Sequence, residues 1–224
     1  MERALCPVLV GRERELDLLE DALIASNRGR GQVVVIAGEA GVGKTRLVSA
    51  LRVSAARAGT AVMSGSCSEA DLTLPYMPFV EGIGNYLASP DGERIKARLG
   101  PATRRQLGHL FPQLEQSSPV EIGDPGQARM RLYEALLTLL QIAAEQRGLL
   151  LILEDLHWAD ASTRELLDYL ARRVRRSRIL ILGTYRSDEL HRRHPLQPLV
   201  QAWQRAGTME TVQLHRSIHP GLAG

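Results

Sequence analysis

The sequence predicts an α/β fold in three layers, in which helices cover both faces of a parallel five-stranded sheet. Along the 224 residues, short apolar runs alternate with segments of helical periodicity, which is the order of parallel βαβ units. The runs "VVVIA" and "LLLIL" carry no polar residue, as expected of strands that are covered on both sides. The length is that of one α/β domain, so we expect a single domain over residues 1–224.

The predicted elements follow one another in a regular alternation with one interruption. Strands are predicted at residues 32–37, 60–65, 149–154, 178–184 and 210–214. Helices are predicted at residues 13–26, 44–58, 126–145 and 162–175. Between the second and third strands, Gly-, Pro- and Ser-rich pieces such as "SPDGE" surround short amphipathic ones. This stretch, residues 67–148, is predicted to be a helical insertion with loops.

Composition excludes several classes of protein. Hydrophobic residues make up 44% and charged residues 24% of the chain, which argues against disorder and against a fibrous protein. A net charge of +3 is too small to indicate a nucleic-acid binder. Cys6 and Cys67 have no CxxC spacing and predict neither a metal site nor disulfides. Without a secretory leader or a bilayer-length apolar run, the chain is predicted to be cytoplasmic and to have no contact with membranes.

The stretch "GEAGVGKT" predicts a phosphate-binding loop. It has the full G-x-x-x-x-G-K-S/T spacing, between a predicted strand and a predicted helix. Glycines let backbone N–H groups approach phosphate oxygens closely, and the helix N-terminus adds a positive dipole end. Lys44 would neutralise β- and γ-phosphate charge, and the Thr45 hydroxyl would bind Mg²⁺. The predicted nucleotide-contacting residues are Gly38, Glu39, Ala40, Gly41, Val42, Gly43, Lys44, Thr45 and Arg46.

Two adjacent acids end the third predicted strand, in "LLLILEDLHWAD". Hydrolysis of a nucleotide needs a metal anchor and a group that orients water, and Glu154 and Asp155 are candidates for both roles. The alternative is a strand that ends in solvated acids before a turn. His157 and Trp158 are left outside the catalytic set, because such a pair after a strand is more often packing than ligand.

The segment after these acids is predicted to begin a helix. Asp160 precedes it, and Ser162 and Glu165 have the S-x-x-E spacing of a capping box. We assign these three residues to helix initiation. The basic run "RRVRRSR" at the end of the same helix is favoured there by the helix dipole, and we expect a solvated face.

A further strand, in "ILILGTYRSDEL", ends near Arg186. Ligands gather at the carboxyl ends of parallel strands, so a polar group at this point can contact a γ-phosphate. Arg186 is therefore a candidate catalytic residue that detects the γ-phosphate, and the alternative is an ordinary surface arginine.

Taken in order, five segments resemble one family, the AAA-related ATPases of the STAND type. They are "LVGREREL", "GEAGVGKTRL", "LPYMPFVEGI", "LILEDLHWADAST" and "LGTYRSDEL". The closest resemblance is to the ATPase module at the front of large ATP-binding LuxR-type transcriptional regulators. It implies the P-loop NTPase fold, with the strand that ends at Arg186 lying between the strand of the phosphate loop and that of the acids.

The resemblance also implies a function and further site residues. It places Val10, Gly11 and Arg12 near the adenine, and it makes Arg186 the γ-phosphate sensor. The ligands would be ATP or ADP with Mg²⁺, held by Thr45 and by Glu154 or Asp155. Such modules are signal-transduction switches, in which ATP favours an active, often self-associated form and slow hydrolysis resets it.

Two departures from the family pattern bear on these expectations. Glu154 stands where the family more often has Asp, so the carboxylate that holds the metal stays open. The chain stops soon after the fifth strand, without the lid, sensor arm or helix-turn-helix of the family. We therefore expect an isolated ATPase core that does not bind DNA directly.

Three functions remain open at this point. The first is a slow Mg-ATPase switch that controls a partner protein. The second is an interaction module that binds nucleotide with negligible turnover, because an open site admits water. The third is a phosphotransferase, which the adjacent acids and the lack of an identifiable acceptor pocket disfavour.

Overall fold

The computed structural model describes residues 11–114, 124–190 and 194–216. The predictions for Val10 and Cys6 concern residues outside these ranges. The strands are β1 Gln32–Gly38, β2 Ala61–Ser66, β3 Leu149–Glu154, β4 Ile179–Arg186 and β5 Met209–Leu214. The helices are α1 Glu13–Asn27, α2 Lys44–Arg57, α3 Met77–Leu87, α4 Pro90–Arg98, α5 Pro101–Leu107, α6 Pro125–Ala144, α7 Ala161–Ala171 and α8 Gln197–Arg205.

The five strands form one parallel sheet in the order β2-β3-β4-β1-β5. The predicted α/β class and the parallel five-stranded sheet are confirmed. The strand that carries Arg186, β4, lies between β1 and β3, as the resemblance implied. This arrangement, with a phosphate-loop sequence directly after β1, is the P-loop NTPase fold.

Helices cover both faces of the sheet, because alternate residues of each central strand are apolar and buried on opposite sides. Val34 and Leu150 pack with Leu47 of α2 in one cluster, which also contains side chains of α1. Val35 and Leu151 belong to the other cluster, which contains side chains of α3, α6, α7 and α8. The sheet is therefore the middle layer of three. Polar side chains of the central strands are found where the strands end.

The insertion between β2 and β3 is helical, as predicted, and contains α3, α4, α5 and α6. One detail of the prediction is wrong, because "SPDGE" is not a loop: Pro90 begins α4. Proline is favoured in the first turn of a helix, and Asp91 and Glu93 in that turn complement the helix dipole. No helix within the described ranges has the length and apolar character needed to cross a bilayer.

Two predictions for α7 are corrected by the structure. Asp160, rather than Ser162, is the N-cap residue, and its carboxylate accepts hydrogen bonds from the backbone N–H groups of Ser162 and Thr163. Glu165 therefore takes no part in a capping box, and its carboxylate pairs instead with Arg129 of α6 at 2.9 Å. The helix also ends earlier than predicted, at Ala171, and a short 3₁₀ turn follows at Val174–Arg176.

Three arginines of the basic run after α7 are engaged by the protein itself. The guanidinium of Arg173 stacks 3.8 Å from the ring centroid of Tyr169. Arg172 pairs with Asp168 at 2.9 Å, and Arg178 donates to the carbonyl oxygen of Glu145 at 3.0 Å. These contacts support the expectation that the run is a protein surface and not a site of its own.

The close packing of α3 on β2 depends on a glycine. A Cβ built at Gly65 would lie 1.9 Å from the carbonyl oxygen of Pro78, which is backbone of α3. Because α3 cannot yield without moving as a whole, we expect Gly65→Ala to lower the free energy of unfolding by about 2 kcal/mol.

Chemical denaturation measures this effect, with Gly100→Ala as the control. A Cβ at Gly100 would meet nothing within 4 Å, so the control should change stability by less than about 0.5 kcal/mol. Equal stabilities of the two variants would contradict the close approach of α3 and β2.

Candidate functional site

The predicted phosphate loop, the two acids and Arg186 all lie at the carboxyl ends of the parallel strands. The loop 39–43 follows β1, Glu154 ends β3, and Arg186 ends β4. Arg186 is the register partner of Gly38, the first glycine of the loop. The sheet thus brings the predicted loop, acids and arginine together, although they are far apart in sequence.

The loop between β1 and α2 has the backbone that its glycines allow. Gly41 and Gly43 have φ angles of 74° and 105°, in the left-handed region that glycine adopts at little cost. Gly43 is the N-cap residue of α2, and no side chain caps this helix. As a glycine, this N-cap residue has no side chain that could accept from the backbone N–H groups that open the helix.

Lys44, the first residue of α2, is folded back over this loop. Its side-chain nitrogen donates to the carbonyl oxygens of Gly38 at 2.8 Å and Glu39 at 3.0 Å. Only 8% of the residue is exposed, and burial lowers the pKa of the ammonium group while the charge of Asp155 opposes that shift. By contrast, Thr45 and Arg46 are exposed at the same helix end.

The two adjacent acids at the end of β3 have different surroundings. Glu154 continues the alternation of Leu150 and Ile152, which lie in the cluster with α1 and α2. Burial, followed by the charge of Asp155, raises the pKa of the Glu154 carboxyl, and Arg52 of α2 acts in the opposite sense. Glu154 therefore lies on the face of the sheet that α1 and α2 cover.

The backbone of Asp155 contacts the neighbouring strand, β4. It has a φ of 55°, one of the left-handed conformations found at a non-glycine residue of the described chain. Its backbone N–H donates to the hydroxyl of Thr184 on β4 at 3.0 Å. Its charge also opposes the lowering of the Lys44 pKa that burial causes. Such local strain is commonly found at functional sites.

Arg186 has a carboxylate partner three residues further along the chain. Its guanidinium nitrogen Nη1 lies 2.7 Å from Oε1 of Glu189. This hydrogen bond is the largest cause of the raised pKa of Arg186. Sequence reasoning missed Glu189, and the i,i+3 spacing of an arginine and an acid after the strand was the signal that could have indicated it.

The predicted adenine segment is partly described. Gly11 has a φ of 73°, and the guanidinium of Arg12 pairs with Glu15 at 2.8 Å and donates to the carbonyl oxygen of His215. The adjacent Arg216 lies 3.1 Å from the carboxylate of Glu39 in the loop. The residues after β5, His215 and Arg216, thus contact both Arg12 and the loop. Val10 lies outside the described residues.

His157, which is outside the predicted catalytic set, lies beside two acids of the site. Its side chain is 0% exposed, with Nε2 3.3 Å from Glu189 and Nδ1 3.9 Å from Asp155. Burial lowers the pKa of the imidazole, and the charges of Glu189 and Asp155 oppose that shift. The ring also packs against Trp158, with centroids 5.3 Å apart.

These features fit a nucleotide phosphate with a bound divalent cation. The uncapped end of α2 and the left-handed glycines leave backbone donors without a Cβ in the way. A Cβ at Gly41 or Gly43 would meet nothing within 4 Å, so the space beside these glycines is open. Lys44 brings a positive charge to it, and the exposed Thr45 and the acids supply the oxygen ligands that Mg²⁺ prefers.

Comparison with known proteins gives one family. Residues 8–182 match the family model described as an AAA ATPase domain. The chain is also 24% identical over 195 residues to the uncharacterized protein R02095 of Rhizobium meliloti (strain 1021). That alignment covers 80% of this chain and 18% of that protein, so the chain spans less than a fifth of the relative's length.

Solved structures with a similar fold are more distant. The Aeropyrum pernix ORC1 protein in complex with DNA has a TM-score of 0.49 at 15% identity, over 95% of this chain and 46% of that one. AMPPCP-bound DnaA from Aquifex aeolicus has a TM-score of 0.43 at 14% identity, over 93% of this chain and 47% of that one. Neither likeness bears on what this chain binds.

Proposed function

The chain belongs to the AAA ATPase domain family, and from that premise we propose that it is a regulatory module that binds Mg-ATP and hydrolyses it slowly as a switch. The observation that carries the proposal is the loop after β1, where an uncapped helix end, left-handed glycines and the buried Lys44 converge. Such an end is suited to an anion, since N–H groups and the helix dipole both favour negative charge.

In this proposal the phosphates contact the residues from Gly38 to Arg46. Lys44 exchanges its present acceptors, the carbonyl oxygens of Gly38 and Glu39, for phosphate oxygens. This exchange is favourable because a hydrogen bond between two charged groups is stronger than one to a neutral carbonyl. It also explains why a lysine is buried here with no carboxylate paired to it among the described residues.

The metal ligands are assigned by the side of the sheet on which they lie. Mg²⁺ would be held by the Thr45 hydroxyl at the start of α2 and by Glu154, which faces α2. The ion supplies charge neutralisation at the β- and γ-phosphates. Of the two acids, we therefore propose Glu154 as the metal ligand.

Asp155 is then the carboxylate that orients the attacking water. The hydrogen bond from its backbone N–H to the Thr184 hydroxyl and its left-handed φ hold the Asp155 backbone against β4, which supports this role. The charge of Asp155 acts on Lys44, which supports a position close to the γ-phosphate. A water held there would lie on the side of the phosphate opposite the leaving group.

The remaining residues bind the two ends of the nucleotide. Arg186, beside Gly38 in the sheet, would contact the γ-phosphate and serve as its sensor. Val10, Gly11 and Arg12 would lie against the adenine, and the contacts that join Arg12 and the loop to the segment after β5 support this.

The regulatory part of the proposal rests on the motifs shared with STAND-type ATPases of LuxR-type regulators. We take residues 1–224 as one ATPase domain that acts in the cytoplasm through self-association or a partner protein and without direct contact with DNA. Nucleotide exchange between ATP and ADP would then be the signal, and slow turnover would set its duration.

A second candidate function is an interaction module that binds nucleotide with negligible turnover. The exposure of Ala40, Thr45 and Arg46 favours it, because a site open to solvent does not exclude bulk water during the reaction. Both candidates require nucleotide binding, and they differ only in whether product forms.

Calorimetric titration with ATP tests the proposal, in Mg²⁺ and in EDTA. If Thr45 and Glu154 hold the ion, we expect removal of Mg²⁺ to weaken ATP binding by about tenfold, since a ligand interaction worth roughly 1.4 kcal/mol is lost. The variant Thr45→Val should reproduce that loss in the presence of Mg²⁺. No binding of ATP or ADP to the parent chain in Mg²⁺ would refute the proposed function.

A further inference from the structure

Glu189 stands between two groups of the site and contacts both with different oxygens. Oε1 lies 2.7 Å from Nη1 of Arg186, and Oε2 lies 3.3 Å from Nε2 of His157. The side chains of Arg186 and Glu189 are 39% and 30% exposed, so the ion pair sits at the mouth of the site. His157, in contrast, is at its floor and is fully buried.

The imidazole of His157 has unused hydrogen-bonding capacity. Neither ring nitrogen forms a hydrogen bond within the described part of the chain, although a carboxylate lies on either side of the ring. An unpaired polar group that is buried costs free energy, and structures generally satisfy it. The ring nitrogen Nε2 of His194 lies 3.0 Å from the backbone carbonyl oxygen of His157. This contact helps to position the His157 backbone.

We propose that Glu189 limits the preference of the site for ATP over ADP. Its carboxylate pairs with Arg186 until a γ-phosphate displaces it, and it then pairs with His157 instead. In the nucleotide-free chain the Glu189 carboxylate forms an ion pair with the Arg186 guanidinium. A γ-phosphate competes for the same nitrogen atoms, and Arg186 moves to it. The carboxylate that is released keeps His157 as its partner.

The inference rests on the proposed function, in which Arg186 contacts the γ-phosphate. A ligand shifts an equilibrium only by its different affinity for the two states. ADP lacks the phosphate that competes with Glu189, so it leaves the Arg186–Glu189 pair intact. ATP must break the pair, so the free energy of the Arg186–Glu189 ion pair reduces the binding free energy of ATP and leaves that of ADP unchanged.

His157 makes the exchange less costly. A neutral imidazole carries one N–H group, which can donate to Oε2 of Glu189 after a small rotation of the carboxylate. Without an imidazole at this position, the freed carboxylate would have no hydrogen-bond donor to replace Arg186 among its contacts with the described residues. His157 is thus a positioning residue, since it acts through Glu189 and does not touch nucleotide.

The test compares the ratio of the dissociation constants for ADP and ATP, measured by calorimetry in Mg²⁺. Glu189→Gln removes the charge that holds Arg186, and we expect the ratio to rise about threefold, as for loss of a partly exposed ion pair. Asp188→Asn is the matched control, because it removes a neighbouring charge that acts on Arg186 and Lys44 through space, and it should change the ratio much less than Glu189→Gln.

Two further variants separate the steps. Arg186→Ala should lower the ratio by about tenfold, and Glu189→Gln added to Arg186→Ala should then have no effect. His157→Phe keeps the bulk of the ring and removes both nitrogens, so it should lower the ratio about threefold. A merely structural role of His157 would weaken ATP and ADP binding alike.

The failures are distinguishable. If Arg186→Ala lowers the ratio but Glu189→Gln leaves it unchanged, the inference is wrong and the proposed function stands. An unchanged ratio in Arg186→Ala overturns both the sensor role of Arg186 and the inference. A rise in Asp188→Asn equal to that in Glu189→Gln would mean that net charge, not the ion pair, sets the preference, and would also overturn the inference.

Discussion

Replacing Lys44 by alanine is expected to weaken ATP binding by about 100-fold, because hydrogen bonds to charged groups contribute roughly 1.5–3 kcal/mol. Lys44 lies over the loop with its ammonium group buried against the carbonyl oxygens of Gly38 and Glu39. No other lysine of the chain can substitute, since the second one, Lys96, is in α4. Calorimetric titration with Mg-ATP measures the loss.

The chain provides its own control for this variant. Lys96 pairs with Glu93 at 2.8 Å on the surface of α4, in the insertion and away from the loop. Lys96→Ala removes the same charge, and we expect its affinity for ATP to stay within about twofold of the parent. Both variants should show thermal unfolding like that of the parent, and equal affinities for ATP would contradict the assignment of the phosphate site.

The second large effect is expected for Asp155→Asn. If Asp155 orients the attacking water, its loss should slow single-turnover hydrolysis by about 10²- to 10³-fold, the range of general-base effects. Binding of ATP should change by less than about threefold, because the carboxylate acts on the transition state and not on the bound substrate. Rapid-quench measurement with radiolabelled ATP separates the two quantities.

Glu154→Gln distinguishes the roles of the two acids. As the proposed metal ligand, Glu154 should affect Mg²⁺-dependent binding as well as turnover, whereas Asp155 should affect turnover alone. Asp91→Asn is a control, because Asp91 is an exposed residue of α4 that lies 3.6 Å from Arg94. The reverse pattern, with binding lost in Asp155→Asn and kept in Glu154→Gln, would exchange the two assignments.

The sheet was largely predictable because its signal is local. Buried parallel strands are short apolar runs, and β3 was predicted with the observed bounds, Leu149–Glu154. β4 continues two residues beyond the predicted end, through Tyr185 to Arg186, since pairing with β1 extends to that point. Pairing is a property of two strands, so neither sequence alone marks where it stops.

Helix α8 was missed because tertiary contacts stabilise it. It is short, with proline in its first turn, and its pattern reads as a loop when taken by itself. In the structure its Trp203 is buried, and the indole N–H donates to Asp168 of α7 at 2.8 Å. The same reason explains the choice of Asp160 over Ser162 as the cap of α7, since Glu165 is drawn to Arg129.

The candidate site could be proposed from the sequence where its residues are contiguous, and could not where they come together only in the fold. The loop from Gly38 to Thr45 is contiguous, and its spacing alone indicates phosphate binding. The roles of Glu189 and His157 depend on contacts between the ends of β3 and β4. Such contacts arise from the order of strands, and a polar residue after a strand carries no sign of which partner it will meet.

Single-turnover hydrolysis of ATP by the parent chain in Mg²⁺ tests the central claim most directly. With protein in excess over radiolabelled ATP, the switch ATPase predicts that ADP and phosphate form slowly and that Asp155→Asn abolishes most of this product. Tight binding of ATP without product in the parent would contradict slow hydrolysis and leave the interaction module as the function of the site.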